Sequence, residues 1–242
     1  MKKTLLIHHH MGLGDHIICN GLVRYIVQKT KKIDKFSLIV KENYVDNIKF
    51  MYRDIKEKLE IVTMKKEFYS NEVNYVKKLS KNYSNYLKIG FEAINFPNWE
   101  KSFYDQIKVL YTIRDDFFKI KRNFEAEQVL IKKLNLNNKR PFIILNNNTS
   151  QGKYDLELFK SQLEKNIKYQ IINFSEITNN IFDWIGAIEL ADRIYSVETS
   201  LIPLVDACLP QEKNKYFLLE NTRKITYDYK RKNKWEICYA QL

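Results

Sequence analysis

Cysteine is scarce in this chain, and its placement excludes a disulfide framework. Cys19, Cys208 and Cys238 cannot all pair, and no two stand at a C-x-x-C spacing, so a reduced, cytoplasmic setting is expected. Long apolar runs are missing too. None approaches the roughly 20 residues that a membrane span requires. The N-terminal "MKKTLLIHHH" resembles a signal peptide only until Ile7, where its apolar run stops, so no secretory leader is expected. Glycine is the third scarcity. Two of only six glycines fall in "LLIHHHMGLGDH" (5–16), which also holds all four histidines.

What is abundant points to a globular protein. Apolar residues make up 45% and aromatics 14% of the 242 residues, too much for a disordered chain. The formal charge of +12 is carried by lysines spread along the chain. Such diffuse charge concentrates any anion (a nucleotide, a lipid surface, a nucleic acid) and selects none.

Short apolar runs alternate with longer periodic segments. Strands are expected at 4–9, 36–40, 60–64 and 86–90, with helices over 15–30, from Tyr44 to Ile55, and over about 70–82. From Trp99 to Leu136 the pattern reads as wholly helical. "LNLNNKRP" (134–141) then breaks it with asparagines and a proline, the best candidate boundary. Beyond it strands are expected at 142–148, 169–174, 193–198 and 215–220, separated by helices. Strand–helix–strand alternation at this rhythm implies parallel sheets built from βαβ units. The expected fold is α/β: a half spanning 1–136 and a half spanning 141–242, each a Rossmann-like doubly wound sheet, facing each other across a cleft.

The 5–16 stretch admits three chemistries. Gly12-Leu13-Gly14 between a strand and a helix is half of a dinucleotide fingerprint, but Ile17 stands at the third glycine position. Asp15 at the mouth of the helix would also repel a pyrophosphate. A metal site would need His8, His10 and His16 to converge, since His9 points to the opposite face of the strand; adjacent histidines at a strand end are more often packed side chains. The third chemistry suits the residues better. An aspartate on a glycine turn, at the carboxyl end of a first parallel strand, lies where open α/β sheets bind ligands. There Asp15 can accept a proton from a substrate hydroxyl. Gly12 and Gly14 keep the loop open, and His10 and His16 can donate hydrogen bonds to the same substrate. The plain alternative is Asp15 as an N-cap of its helix.

The later half supplies two candidate anion sites. In "YSVETSLIPLVDA" (195–207) a strand ends at Glu198, and Thr199 and Ser200 open a helix whose free N–H groups favour a phosphate. In "NNNTSQGKYD" (146–155) Ser150 and Lys153 sit at a second polar strand exit, without Walker spacing.

"MGLGDHIICNGLVRYI" after a first strand, together with "IGAIELADRIYSVETSLIPLVDACL" late in the chain, resembles glycosyltransferase family 9. These are the ADP-heptose:lipopolysaccharide heptosyltransferases and their relatives, of the GT-B fold. The resemblance implies that Asp15 is the catalytic base, that Lys153 contacts the donor phosphates, and that Glu198, Thr199 and Ser200 stand for the family's donor-binding Asp-Thr-Gly. Glutamate replaces aspartate at 198, serine replaces glycine at 200, and Pro203 takes the place of a family histidine. The function so implied is an inverting, metal-independent, cofactor-free transfer of a sugar from a nucleotide-sugar to a hydroxyl of a glycan or glycolipid. It would take place in the cytoplasm, with a peripheral seat on the anionic inner face of the membrane. The alternatives are a nucleotide-sugar epimerase-like enzyme and a non-catalytic nucleotide-sugar or anion-binding protein. Nucleic acid is not an expected partner, because helix-turn-helix, aromatic RNP and zinc-finger signatures are all lacking.

Weaker features have plainer readings. Trp99 and Phe103 are expected as an i,i+4 core pair rather than a sugar-stacking rim with Phe96 and Tyr104. Cys19 reads as a buried small side chain, Glu189 as part of a solvated face, and "KRKNKW" (230–235) as a solvated basic run.

Overall fold

A computed structural model describes residues 2–90, 94, 98–136, 140–149, 152–165, 168–175, 177–209, 216–220 and 235–239. The chain divides into two units, Met1–Lys121 and Arg122–Leu242. No helix among the described residues is long and apolar enough to cross a membrane.

In the first unit Thr4–His8 (β1), Lys35–Lys41 (β2), Leu59–Met64 (β3) and Asn85–Lys88 (β4) are all parallel, in the order β3-β2-β1-β4. Leu5, Leu6, Ile7, Leu38, Ile39 and Val40 are buried in consecutive runs. A parallel sheet covered on both faces requires this, and short apolar runs without alternation supply it. The helices are Leu13–Ile18 (α1), Asn20–Lys29 (α2), Val45–Met51 (α3), Glu72–Ser80 (α4), Trp99–Asp105 (α5) and Ile113–Asp116 (α6). The single helix expected over 15–30 is thus two, divided at Cys19, with the first beginning earlier than expected. Gly21 marks where α2 meets α6: a Cβ there would collide with the backbone oxygens of Ile113 and Arg114. Arg24 is buried, donating to both carboxylate oxygens of Asp54 at 3.1 and 2.7 Å and to the Met51 carbonyl at 2.9 Å. That pairing keeps a cation inside the unit.

In the second unit Phe124–Lys133 (α7) precedes a parallel sheet of Phe142–Asn146 (β5), Gln170–Asn173 (β8), Arg193–Ser196 (β9), Tyr216–Glu220 (β10) and Trp235–Tyr239 (β11), in the order β11-β10-β9-β5-β8. Asn148–Thr149 (β6) and Gly152–Lys153 (β7) form a small antiparallel hairpin. Glu157–Glu164 (α8), Ile185–Leu190 (α9) and Leu201–Cys208 (α10) complete the unit. The seven strands with described neighbours that the sequence reading placed at 4–9, 36–40, 60–64, 86–90, 142–148, 169–174 and 193–198 are all present within a few residues, as is the one at 215–220.

Three expectations are corrected. The stretch from Trp99 to Leu136 is not wholly helical, because residues 117–123 separate α6 from α7. The division between units falls at 121/122 rather than at 137–140, and α7 goes with the second unit. Arg122 explains this placement: its guanidinium donates to Glu127 on α7 (2.9 and 2.5 Å) and to Glu189 on α9 (2.6 and 2.8 Å). Glu189 is therefore an ion-pair partner and not a solvated face. The break at "LNLNNKRP" is the end of α7. Asn135 takes a left-handed φ of 56°, and Asn135 N–H and Leu136 N–H donate to the carbonyls of Lys132 and Ile131, the Schellman stop that asparagine tolerates. Of the basic run at 230–235, residues 230–234 lie outside the described residues. Trp235 is buried at the head of β11 and donates through Nε1 to the buried Asp206 on α10 at 2.8 Å.

Candidate functional site

Strand order decides where a ligand crevice opens. In the first unit β2 and β3 run off to one side of β1 and β4 returns on the other, so the topological switch lies between β1 and β4. The loop after β1 is the histidine–glycine–aspartate stretch, and Gly90 follows β4. Its backbone hydrogen-bonds the His10 ring, which lies 5.5 Å from that of Phe103 on α5. Gly90 has φ +85°, and a Cβ on it would meet the Phe103 ring at 2.5 Å, so only glycine suits this corner.

Asp15 is not the N-cap. Gly12 caps α1, and Asp15 in the first turn reaches back so that Oδ2 accepts from Gly12 N–H at 3.1 Å. A Cβ on Gly12 would lie 2.6 Å from that oxygen. The glycine therefore lets the carboxylate fold onto the loop. Burial pushes the Asp15 carboxyl up to about 6, and the Glu100 carboxylate adds to the rise. The Gly12 hydrogen bond and Lys41 work in the opposite direction. A base poised near neutrality results. Glu100 is itself buried on α5, accepting from Tyr111 Oη at 2.9 Å and Arg114 Nη1 at 3.2 Å. Nothing in a local reading of "WEKSFYD" pointed to it.

The histidines divide into three environments. His8 is buried, with Nδ1 2.9 Å from Tyr86 Oη and Nε2 3.2 Å from Glu72, whose carboxylate also pairs with Lys41 at 3.4 Å. His9 and His16 are buried edge to face, with ring centres 4.5 Å apart. His9 Nε2 and both His16 ring nitrogens lack a hydrogen-bond partner among the described residues. Burial lowers His9 to about 4 and holds His16 well below its ordinary range, so both rings are neutral. His16 was expected to donate to a substrate; at 0% exposure it cannot reach one. His10 alone of the proposed pair is half-exposed, and burial lowers its proton affinity as well. Gly12 and Gly14 are half-exposed. Among the described residues no three His, Cys, Asp or Glu side chains cluster as metal ligands.

In the second unit the switch lies between β5 and β9, since β8 flanks β5 on one side and β9, β10 and β11 run off on the other. Both nominated donor segments leave the sheet there. Asn146, at the end of β5, ties them together by donating to Thr199 Oγ1 at 2.8 Å and to Ser196 Oγ at 3.1 Å. Thr199 Oγ1 also accepts from Leu201 N–H at 3.3 Å, so its own proton is what it can offer a ligand. Ser200 is the N-cap of α10 but makes no side-chain cap bond, and Glu198 is exposed. Lys153 is exposed on the β6–β7 hairpin opposite Asn148. Ser150 lies outside the described residues. Asn146 was missed because an amide at a strand end is ordinary in sequence, and its partners lie 50 and 53 residues away.

The remaining aromatic expectations have clear outcomes. Trp99 and Phe103 do meet as an i,i+4 pair, 5.4 Å apart and edge to face. Tyr104 is buried, donating to the Ile18 carbonyl at 2.7 Å, and Cys19 is fully buried. Phe96 lies outside the described residues.

No protein-family model and no curated protein matches this chain. The solved structures similar in fold include two glycosyltransferases. The glycosyl transferase family 9 structure from Veillonella parvula superposes with a TM-score of 0.60 at 9% identity, covering 98% of this chain and 86% of that one. Escherichia coli ADP-heptose LPS heptosyltransferase II gives a TM-score of 0.61 at 11% identity, covering 98% and 90%. Parallel α/β units with the strand orders described above, taken with these two likenesses, give this chain a GT-B-type fold, that of the family 9 glycosyltransferases.

Proposed function

We propose that this protein transfers a sugar from a nucleotide-sugar to a hydroxyl of a glycan or glycolipid, with inversion and without a metal ion. The observation that carries the reading is Asp15: a half-buried carboxylate raised to about 6, held by a glycine loop at the topological switch of its sheet. Asp15 takes the proton of the acceptor hydroxyl as that oxygen forms a bond to the anomeric carbon. The bond from that carbon to the diphosphate breaks on the opposite face, and the diphosphate leaves with the electron pair. Lys153, the Thr199 hydroxyl and the N–H groups at the start of α10 receive the departing charge, with Glu198 and Ser200 beside them. His10, with Gly12 and Gly14, lines the acceptor side. The fold of the two similar glycosyltransferases supports this assignment, and the diffuse +12 charge suits a peripheral seat on an anionic membrane surface in the cytoplasm.

Thermal-shift measurements with ADP, GDP, UDP, CDP and dTDP test the donor side. A true donor nucleotide at a hundredfold excess over Kd stabilises by roughly 2.7 kcal/mol. With the matching nucleotide-sugar, diphosphate release should depend on added acceptor, survive EDTA, and fall about 10²–10⁴-fold in Asp15→Asn. Transfer by Asp15→Asn at the wild-type rate removes Asp15 as the base. Conversion of the nucleotide-sugar without any acceptor points to the epimerase-like alternative.

A further inference from the structure

Away from the Asp15 loop, the first unit carries a groove of about 420 Å³ along α4, within the range of small-ligand pockets. Its apolar floor is Phe68, Tyr75 and Leu79, with the Phe68 and Tyr75 rings stacked 4.4 Å apart at 21°. Its polar lining is three carboxamides, Asn71, Asn74 and Asn82, together with Lys78. Asn74 Nδ2 donates to Asn71 Oδ1 at 2.7 Å, so the first two amides already hold each other in a fixed geometry.

We propose that this groove binds an uncharged, unbranched oligosaccharide segment. The Phe68 and Tyr75 rings turn one face to each other, and what the pair leaves to the groove is apolar, as the C–H face of a pyranose is. Carboxamides offer paired donors and acceptors that fit neighbouring hydroxyls. The amides sit at the two ends of the lining, Asn71 and Asn74 at the start of α4 and Asn82 beyond its end, and Asn71 to Leu79 spans about 12 Å at the helical rise. A ligand with hydroxyls repeated along its length meets all of them, whereas a single nucleobase concentrates its polar atoms around one ring. No carboxylate lines the groove, and its single ammonium, on an exposed lysine, is too little to anchor a polyanion. The head of the groove is one residue from Glu72, which is bonded to His8 and Lys41. A chain seated there thus ends beside the elements that carry the Asp15 loop. The site stands whether or not Asp15 is the catalytic base.

The test uses the full chain with no nucleotide-sugar present, so it reads the groove and not turnover. Saturation-transfer NMR with maltotriose and with chitotriose should show transfer from aromatic protons to sugar C–H protons. Tyr75→Ala should weaken binding about tenfold. Asn74→Ala, at an exposed position where the fold is not at stake, should weaken it severalfold. Absence of transfer to both sugars overturns the proposal, as does transfer undiminished in both variants. Displacement of the sugars by AMP at equal concentration overturns it in favour of a nucleobase site.

Discussion

Asp15→Asn separates a functional carboxylate from a structural cap because the two readings predict opposite signs for stability. An ordinary aspartate in this geometry would be stabilised by its helix, and its loss would cost about 1 kcal/mol. Asp15 instead has its proton affinity raised from the ordinary 3.8 to about 6, chiefly by burial. Between pH 3.8 and 6 the native state therefore holds a proton that the unfolded state has released, so stability falls as pH rises through that window. Above pH 6 the ionised carboxylate costs about 3 kcal/mol relative to an aspartate left in water. Asparagine keeps an oxygen to accept from Gly12 N–H but adds an amide nitrogen, whose incomplete pairing costs about 1 kcal/mol. The expected net gain is about 2 kcal/mol at pH 8, turning into a small net loss, under about 1 kcal/mol, at pH 4. Thermal denaturation followed by circular dichroism at both pH values reads it, at roughly 2–4 °C per kcal/mol. A variant that melts lower than wild type at pH 8, or a difference that does not change with pH, refutes the assignment of a raised carboxyl at residue 15. The same variant should lose about 10²–10⁴-fold in turnover, so gained stability and lost turnover together mark a group kept for its chemistry.

The histidine pair gives the opposite slope. Burial lowers His9 to about 4 and holds His16 well below its ordinary range, so the unfolded chain takes up more protons and stability drops as pH falls from 6.5 toward 4; His9→Phe should shift acid unfolding, followed by circular dichroism, to lower pH. Gly12→Ala leaves an ordinary backbone conformation (φ −72°) but puts a Cβ 2.6 Å from Asp15 Oδ2. If Asp15 is the proposed base, displacing its carboxylate should cost about 10²-fold in kcat, with little change in the diphosphate-induced thermal shift. Asn146→Ala removes two hydrogen bonds that join β5 to the β9 exit. It should lower stability by about 1–3 kcal/mol in denaturant titration and abolish the diphosphate-induced shift. Arg122→Ala leaves the buried Glu127 without its cation; a loss of about 2–4 kcal/mol in urea unfolding is expected.

Strands were legible because a sheet covered on both faces needs unbroken apolar runs, and "TLLIH", "FSLIV" and "FIILN" are such runs. The Asp15 loop was legible for a different reason. Its glycine, its aspartate and the strand before them are contiguous, so local geometry is written in adjacent letters. His16 misled for want of that information: a histidine beside an aspartate at a helix start looks available, and only packing against His9 shows that it faces inward. The boundary misled similarly. An asparagine-rich break marks a helix end as readily as a domain end, and Arg122 with its two glutamates, 5 and 67 residues away, decided which.

The sequence by itself determined the alternation of strand and helix, the glycine turn that holds Asp15, and the hydroxyl-bearing helix start at Thr199 and Ser200. All of these rest on interactions between residues a few positions apart. Strand order was decided only by tertiary structure, and with it the placement of the Asp15 loop and the Asn146–Thr199 junction at the switch points of their sheets. So were the burial that raises Asp15 and the carboxylate of Glu100 behind it. These depend on which distant side chains exclude water from a group, and desolvation is a property of the packed surroundings that no short stretch of residues encodes.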